Sequence, residues 1–247
     1  MKICFVSVDV ESDFAKDKSF KGVENLDKIL EIFKKYNVSA TLFITGNVLE
    51  KYTKRITEWA KSYEIASHSF SHRFWNTLND EERKTDSEKF CHLYQKIFGN
   101  YPKGFRAPSH IIDEKGLKLL AEKGFLYDSS IVPHYPFFKK YRGYKRKAPL
   151  SPYWLKNRIL EIPISGQIFG IPLAGTWILK LPFFIYKFLF LISNPVFLTF
   201  NLHSWDSLNY RLLEKIEGIL KILKNKNYRF LKGEEIFNKY ASVPKNR

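Results

Sequence analysis

Cysteine is nearly absent from the chain, with two residues in 247, Cys4 and Cys91. That excludes a disulfide framework and a thiolate zinc site, and both residues are expected to be reduced, buried small side chains. No stretch is rich enough in Pro, Gly or Ser to act as a linker and no internal repeat occurs, so a single domain over residues 1–247 is expected. The opening segment, Met1 to Val8, enters a β-branched and aromatic strand without the charged and long apolar regions of a secretion signal. A cytoplasmic location, with peripheral contact at the inner membrane surface as its variant, is the corresponding expectation. No glycine-rich phosphate loop follows that strand, which weighs against a nucleotide-binding Rossmann domain.

A membrane-spanning run is also lacking. The most apolar segment, Trp177 to Ile192, is interrupted by Lys180, Pro182 and Lys187. A helix starting at Pro182 has about a dozen residues and reaches roughly 18 Å, against a hydrocarbon core of about 30 Å. It can serve as an ordinary packing helix or lie in a bilayer interface. Acidic residues are scarce as well: 25 Asp plus Glu stand against 41 Lys plus Arg, for a net charge of +16. Such a balance favours an anionic partner, whether nucleic acid, phospholipid or a charged glycan intermediate. Nucleic-acid reading motifs are missing, so no specific nucleic acid is expected. The densest basic run, Lys139 to Lys147, interleaves six cations with Tyr141 and Tyr144 and reads as a solvated loop.

What the sequence has in quantity is apolar and aromatic residues, 45% and 17% of the chain. They form strand-type runs alternating with helical periodicity. Strands are expected at 2–9, 39–44, 63–67, 103–106, 125–128, 159–165, 197–202 and 228–231. Helices are expected at 25–36, 47–61, 80–98, 114–123, 209–225 and 233–240, the third opened by Asn79 or Asp80 as N-cap. About seven βα units in one chain point to a distorted (β/α) barrel rather than an open doubly wound sheet.

In a (β/α) barrel the chemistry sits at the C-terminal ends of the strands. Asp9, Glu11 and Asp13 alternate at the end of the first strand and share a face while the chain stays extended. His68 and His72 follow the third strand, and their spacing would place both rings on one side of a helical turn. Two histidines with one carboxylate suit zinc, cobalt, manganese or ferrous iron. His203 ends another apolar strand and reaches the same face as Asp9, where it can act as a general acid. Arg106 and Asp128 end two further strands, and His110 can line the cleft. His92 sits in a charged helix and His134 in a surface loop.

Read in order, Ser7-Val-Asp-Val-Glu11, His68-Ser-Phe-Ser-His72, Arg106-Ala-Pro108, Tyr127-Asp-Ser-Ser130 and Leu202-His-Ser-Trp205 resemble the five motifs of the polysaccharide deacetylase family, carbohydrate esterase family 4. Ala40-Thr-Leu-Phe-Ile44 with Gly46, and Gly124-Phe-Leu-Tyr-Asp128, look like the same family. The likeness extends from about residue 3 to about residue 206, leaving 207–247 for closing helices and a last strand. It implies a distorted, often seven-stranded (β/α) barrel that uses one divalent metal, zinc foremost, held by His68, His72 and a carboxylate. It further implies Asp9 as general base, Arg106 as its orienting partner, His203 as general acid, and Asp128 as the residue that holds and tunes His203.

Two departures matter. The common first motif has two adjacent aspartates, whereas Val10 follows Asp9 here. The chain looks more like the subgroup with Asp-Val-Glu, making Glu11 the implied ligand and Asp13 the alternative. Ser204 also stands where proline commonly follows the histidine. The activity implied is metal-dependent removal of an N-acyl group, N-acetyl foremost, from an amino sugar in a glycan or a lipid-linked sugar. The alternatives are hydrolysis of another non-peptide C–N bond, of deformylase or cyclic amidase type, or a catalytically silent carbohydrate- or membrane-binding barrel.

Overall fold

In the computed structural model, residues 1–15, 19–133, 148–168 and 171–242 are described. The basic run at 139–147 and His134 lie outside them. Along the chain the elements are β1 (Lys2–Val10), α1 (Lys21–Glu24), α2 (Asp27–Tyr36), β2 (Ala40–Ile44), α3 (Gly46–Lys51), α4 (Thr53–Trp59) and β3 (Glu64–Ser67). Next come α5 (Asp80–Phe98), β4 (Gly104–Phe105), α6 (Glu114–Glu122), β5 (Tyr127–Asp128), β6 (Tyr153–Trp154) and β7 (Leu160–Glu161). The chain finishes with β8 (Gln167–Ile168), β9 (Ile171–Pro172), α7 (Gly175–Lys180), α8 (Phe183–Ile192), β10 (Phe197–His203), α9 (Tyr210–Asn225), β11 (Tyr228–Phe230) and α10 (Gly233–Ala241).

The sheet follows from strands that are apolar on both faces. β1 is buried from Ile3 through Val10, as a strand covered on both sides requires. Seven strands lie parallel in the order β10-β1-β2-β3-β4-β5-β7, with β6 added antiparallel and β11 paired to the first residues of β1. The sheet curls into a half-barrel, so the expected distorted α/β barrel with a seven-stranded parallel row is what the chain forms. Among the described residues no ladder between β7 and β10 closes the curl. The chain after β7 crosses there instead, through Thr199 Oγ1 donating to the Pro163 carbonyl at 2.7 Å and a single bridge between Ala174 and Asn201.

Helix boundaries have local causes. α5 begins at Asn79, whose side chain accepts from Glu82 N while Glu82 accepts from Asn79 N, and it ends on left-handed Gly99. α2 and α9 face the sheet with Ile29, Leu30, Phe33, Ile216, Ile219, Leu220 and Leu223, all part of one core with β1, β2 and β10. Two expectations need correction. The helix at 47–61 is split at Tyr52, next to Thr53, whose hydroxyl donates back to the Leu49 and Glu50 carbonyls. The strand at 159–165 shortens to Leu160–Glu161, because Pro163 has no N–H to offer a ladder.

Candidate active site

The parallel register sets Asp9 of β1 directly beside His203 of β10, both at the C-terminal ends of their strands. His203 Nε2 stands 3.9 Å from Asp9 Oδ2. The other Asp9 oxygen accepts from Arg106 Nη1 at 2.7 Å, and the arginine is wholly buried. The same nitrogen donates to Ser7 Oγ at 2.9 Å and to Asn201 Oδ1 at 2.6 Å, while Nε and Nη2 are taken by the Ser129 carbonyl and hydroxyl. The guanidinium also lies 4.0 Å from the centre of the Phe43 ring. Burial alone pushes the Asp9 carboxyl up. The positive charge of Arg106, with His68, His203 and His110, overcomes that and holds Asp9 well below the usual carboxylate range. Arg106 therefore orients Asp9 and keeps it ionised. Ser7 and Asn201 complete the network and were not singled out from the sequence, although each sits two residues before Asp9 or His203 and so on the same strand face.

Just beyond the strand ends, Glu11, His68 and His72 form a cluster whose donor atoms all lie within 4.8 Å of one another. Among the described residues no other group of three such side chains does so. Glu11 Oε2 and His72 Nε2 are buried, touch each other and have no hydrogen-bond partner. His68 Nδ1 is bonded to the Arg106 carbonyl at 2.8 Å, which fixes the tautomer with Nε2 bare. Burial lowers the His68 pKa, only partly offset by Asp9 and Glu11, so the ring is neutral as a ligand must be. Two imidazole nitrogens and one carboxylate, buried and otherwise unsatisfied, fit a divalent cation.

The histidine loop is not a helical turn, contrary to the expectation from spacing. Ser69 and His72 both take left-handed φ values, 63° and 59°, and the rings meet at 5.0 Å. Asp86 of α5 imposes this shape by accepting from Phe70 N, Ser71 N and Ser71 Oγ at 2.5 to 3.0 Å. Asp13, the alternative ligand, turns away: its carboxylate accepts from Ser19 Oγ, Lys21 N and Gly22 N and so ties down the start of α1.

Asp128 also departs from its expected role. It makes no hydrogen bond to His203. Its oxygens accept from Ser130 N at 3.1 Å and Ser130 Oγ at 2.7 Å, and it lies against the Glu161 carboxyl. Burial of this carboxyl pair raises Asp128 to about 6 and holds Glu161 well above the ordinary carboxylate range, the Asp128 charge adding to the rise in Glu161. His203 is oriented from elsewhere. Its ring stacks on Trp205 at 4.3 Å and 13°, and Asp206 accepts from its backbone N at 2.8 Å. Beyond Trp205 a third ring, exposed Phe14, stacks at 5.4 Å.

His110 joins the same centre, as the cleft position expected of it. Its Nδ1 is buried without a partner, and burial pushes its pKa down to about 3 against the pull of Asp9. His92 is exposed on α5 and remote from this chemistry. Glu161 and Asp206 carried no local sequence signal, since their importance arises from contacts across the fold.

The polysaccharide deacetylase family model matches residues 15–127 of the chain. A peptidoglycan deacetylase-like protein of Gibberella zeae is 32% identical over 120 residues, 47% of this chain and 35% of that one. The peptidoglycan-N-acetylglucosamine deacetylase of Bacillus cereus is 32% identical over 107 residues, 42% of this chain and 38% of that one. The matched part thus spans little more than a third of these relatives. Among solved structures, a Mycobacterium smegmatis protein assigned to the polysaccharide deacetylases superposes with a TM-score of 0.72 at 18% identity, covering 96% of this chain and 90% of its own. A pseudoenzyme of carbohydrate esterase family 4 from Bacillus anthracis superposes with a TM-score of 0.64 at 15% identity, over 96% of this chain and 65% of its own. The sequence likeness to polysaccharide deacetylases thus lies in residues 15–127, and the likeness to these solved structures is one of fold.

Proposed function

We propose that this protein is a metal-dependent hydrolase of the subgroup with an Asp-Val-Glu first motif, removing an N-acyl group, N-acetyl foremost, from an amino sugar in a glycan or lipid-linked sugar. The observation that carries the proposal is the pairing of Asp9 and His203 across one register position, beside an unsatisfied Glu11-His68-His72 cluster. A divalent ion there, with zinc the best match to the donor set, would polarise the acyl carbonyl and acidify a water.

The chain's own residues supply the proton traffic. Asp9 enters ionised, with Oδ1 held by Arg106, while Oδ2 faces His203 and accepts only a long 3.4 Å bond from Asn201 Nδ2, so this oxygen can take the proton of the attacking water. His203 Nε2 is placed to protonate the departing nitrogen, which an amide requires because an unprotonated amine leaves poorly. Trp205 fixes the plane of that imidazole, and the Phe14 ring stacked beyond it extends an apolar wall against which a sugar ring can rest. His110, kept neutral, can hydrogen-bond the substrate without competing as an acid.

The test uses the purified protein with N-acetylglucosamine oligomers and follows acetate release and bound metal together. Wild type is expected to hold about one divalent ion per chain, and His68→Ala/His72→Ala to lose it. His203→Ala is expected to keep the ion and lose about 10² to 10⁴ in kcat. A His203→Ala variant with wild-type turnover would remove that residue from the mechanism, and a folded wild type that takes up no metal would overturn the proposal.

A further inference from the structure

The outer face of α8 has no role in the site described above, yet it gathers several of the exposed large apolar side chains among the described residues. Its inner residues Tyr186, Leu189 and Phe190 are buried in the main core. Phe183 is pressed onto Gly218 of α9 so closely that a Cβ there would stand 2.4 Å from the ring. α8 is therefore fixed in orientation. Its remaining side follows helical spacing: Phe184 is 68% exposed, Phe188 57%, Leu191 77% and Ile192 54%, and Val196 after the helix is 67% exposed. A helix apolar all round is normally enclosed, and contiguous exposed patches of large apolar side chains mark interaction surfaces.

Charge identifies the occupant. From Ile162 to Trp205 the sequence contains no Asp or Glu, and its only Lys and Arg residues are Lys180 and Lys187. Both are exposed, and each ammonium is held over an aromatic ring, Lys180 over Trp177 at 4.9 Å and Lys187 over Phe183 at 5.3 Å. Phenylalanines and leucines pointing outward, cations beside them and an absence of acid across the whole segment match the headgroup boundary of an anionic bilayer. The helix is far too short to cross one: among the described residues no helix is long and apolar enough to do so. We infer that α8 is a peripheral membrane-docking element that seats this protein on an anionic lipid surface. The inference is independent of the hydrolase reading, because none of these residues touches Asp9, His203 or the metal-ligand cluster.

The experiment is co-sedimentation of the full chain with vesicles of phosphatidylcholine alone and of phosphatidylcholine mixed with phosphatidylglycerol. Wild type is expected to bind the mixed vesicles, more weakly as salt rises and more weakly still without the anionic lipid. Phe188→Ser/Leu191→Ser removes two outward side chains and is expected to weaken partitioning about ten- to a hundred-fold or more, with the melting temperature and turnover of a soluble substrate unchanged. Lys180→Glu/Lys187→Glu is expected to abolish the preference for anionic vesicles. Three results overturn the inference: wild type that ignores both vesicle types, a Phe188→Ser/Leu191→Ser variant that binds as wild type does, or a wild-type dimer in sedimentation velocity that this variant dissolves. The last would make a second copy of the chain the occupant.

Discussion

Replacing Arg106 by methionine tests the centre of the site, because the residue is wholly buried and serves five acceptor atoms at once. Methionine fills similar space without charge or donors, leaving Asp9 as an uncompensated buried anion and Ser7, Asn201 and Ser129 short of partners. Breaking a buried ion pair by removing one member costs about 3–5 kcal/mol, or roughly 6–20 °C in melting temperature for a chain of this size. The pH dependence is more diagnostic than the size. In wild type the folded pKa of Asp9 lies below its unfolded value, so the carboxylate stabilises the fold above about pH 4 and that stability is lost as pH falls through the folded value. Without Arg106, burial dominates and raises the folded value, so the variant instead loses stability as pH climbs through it. The gap between the two proteins should therefore be smallest in strong acid, below the wild-type folded value, be substantial already near pH 4 and widen further until pH passes the raised folded value of the variant, and the acid limb of kcat/KM should move up by about one to three pH units. Calorimetry across pH, with kcat/KM profiles on the same preparations, measures both. Adding Asp9→Asn to Arg106→Met should restore part of the lost stability, since the stranded charge is then gone. A melting-temperature loss that does not vary with pH, together with an unmoved acid limb, would refute the argument and leave Arg106 as packing alone.

The Asp128–Glu161 pair predicts the opposite trend. Both folded values lie above the ordinary carboxylate range, so the pair destabilises the fold increasingly as pH rises from about 4 through about 6. Glu161→Gln, whose amide can donate to Asp128, should be more stable than wild type at pH 8 and no more stable near pH 4. Urea melts at the two pH values check this, and a pH-independent difference would sink it. Asp86→Ala should loosen the His72 loop without touching a ligand, weakening divalent metal binding about 10- to 100-fold while the melting temperature of the metal-free protein changes little. Titration with zinc against a competing chelator reads the affinity, and wild-type affinity would show that the loop holds its shape unaided.

How far the sequence carried depended on where a residue sits relative to its strand. Asp9 and His203 were legible because a strand alternates its side chains and a parallel barrel presents strand ends on one face. Once β1 and β10 are recognised, the ladder itself directs these two side chains. The same rule places Ser7 and Asn201 on that face, but a buried serine and asparagine look like ordinary strand residues until a guanidinium sits between them. Past the strand ends the rule lapses. The spacing of His68 and His72 fits a helical turn as well as a loop, and the choice is made by Asp86, fifteen to sixteen positions away on α5. Asp13 follows Glu11 at the correct interval for a shared face, but the backbone amides of Lys21 and Gly22 capture it once α1 forms.

Asp128 shows the same limit from the other side. Glu161, brought alongside by the β5–β7 pairing, takes the contact that His203 was expected to have. His203 is left with a ring stack and a backbone tether in place of a carboxylate on Nδ1, which is buried without a partner. That leaves Trp205 as the group that holds the imidazole in plane. The orientation of the His203 ring therefore depends on a residue whose sequence position, two beyond the histidine, gives no hint of stacking until the 204–208 turn folds it back over the ring.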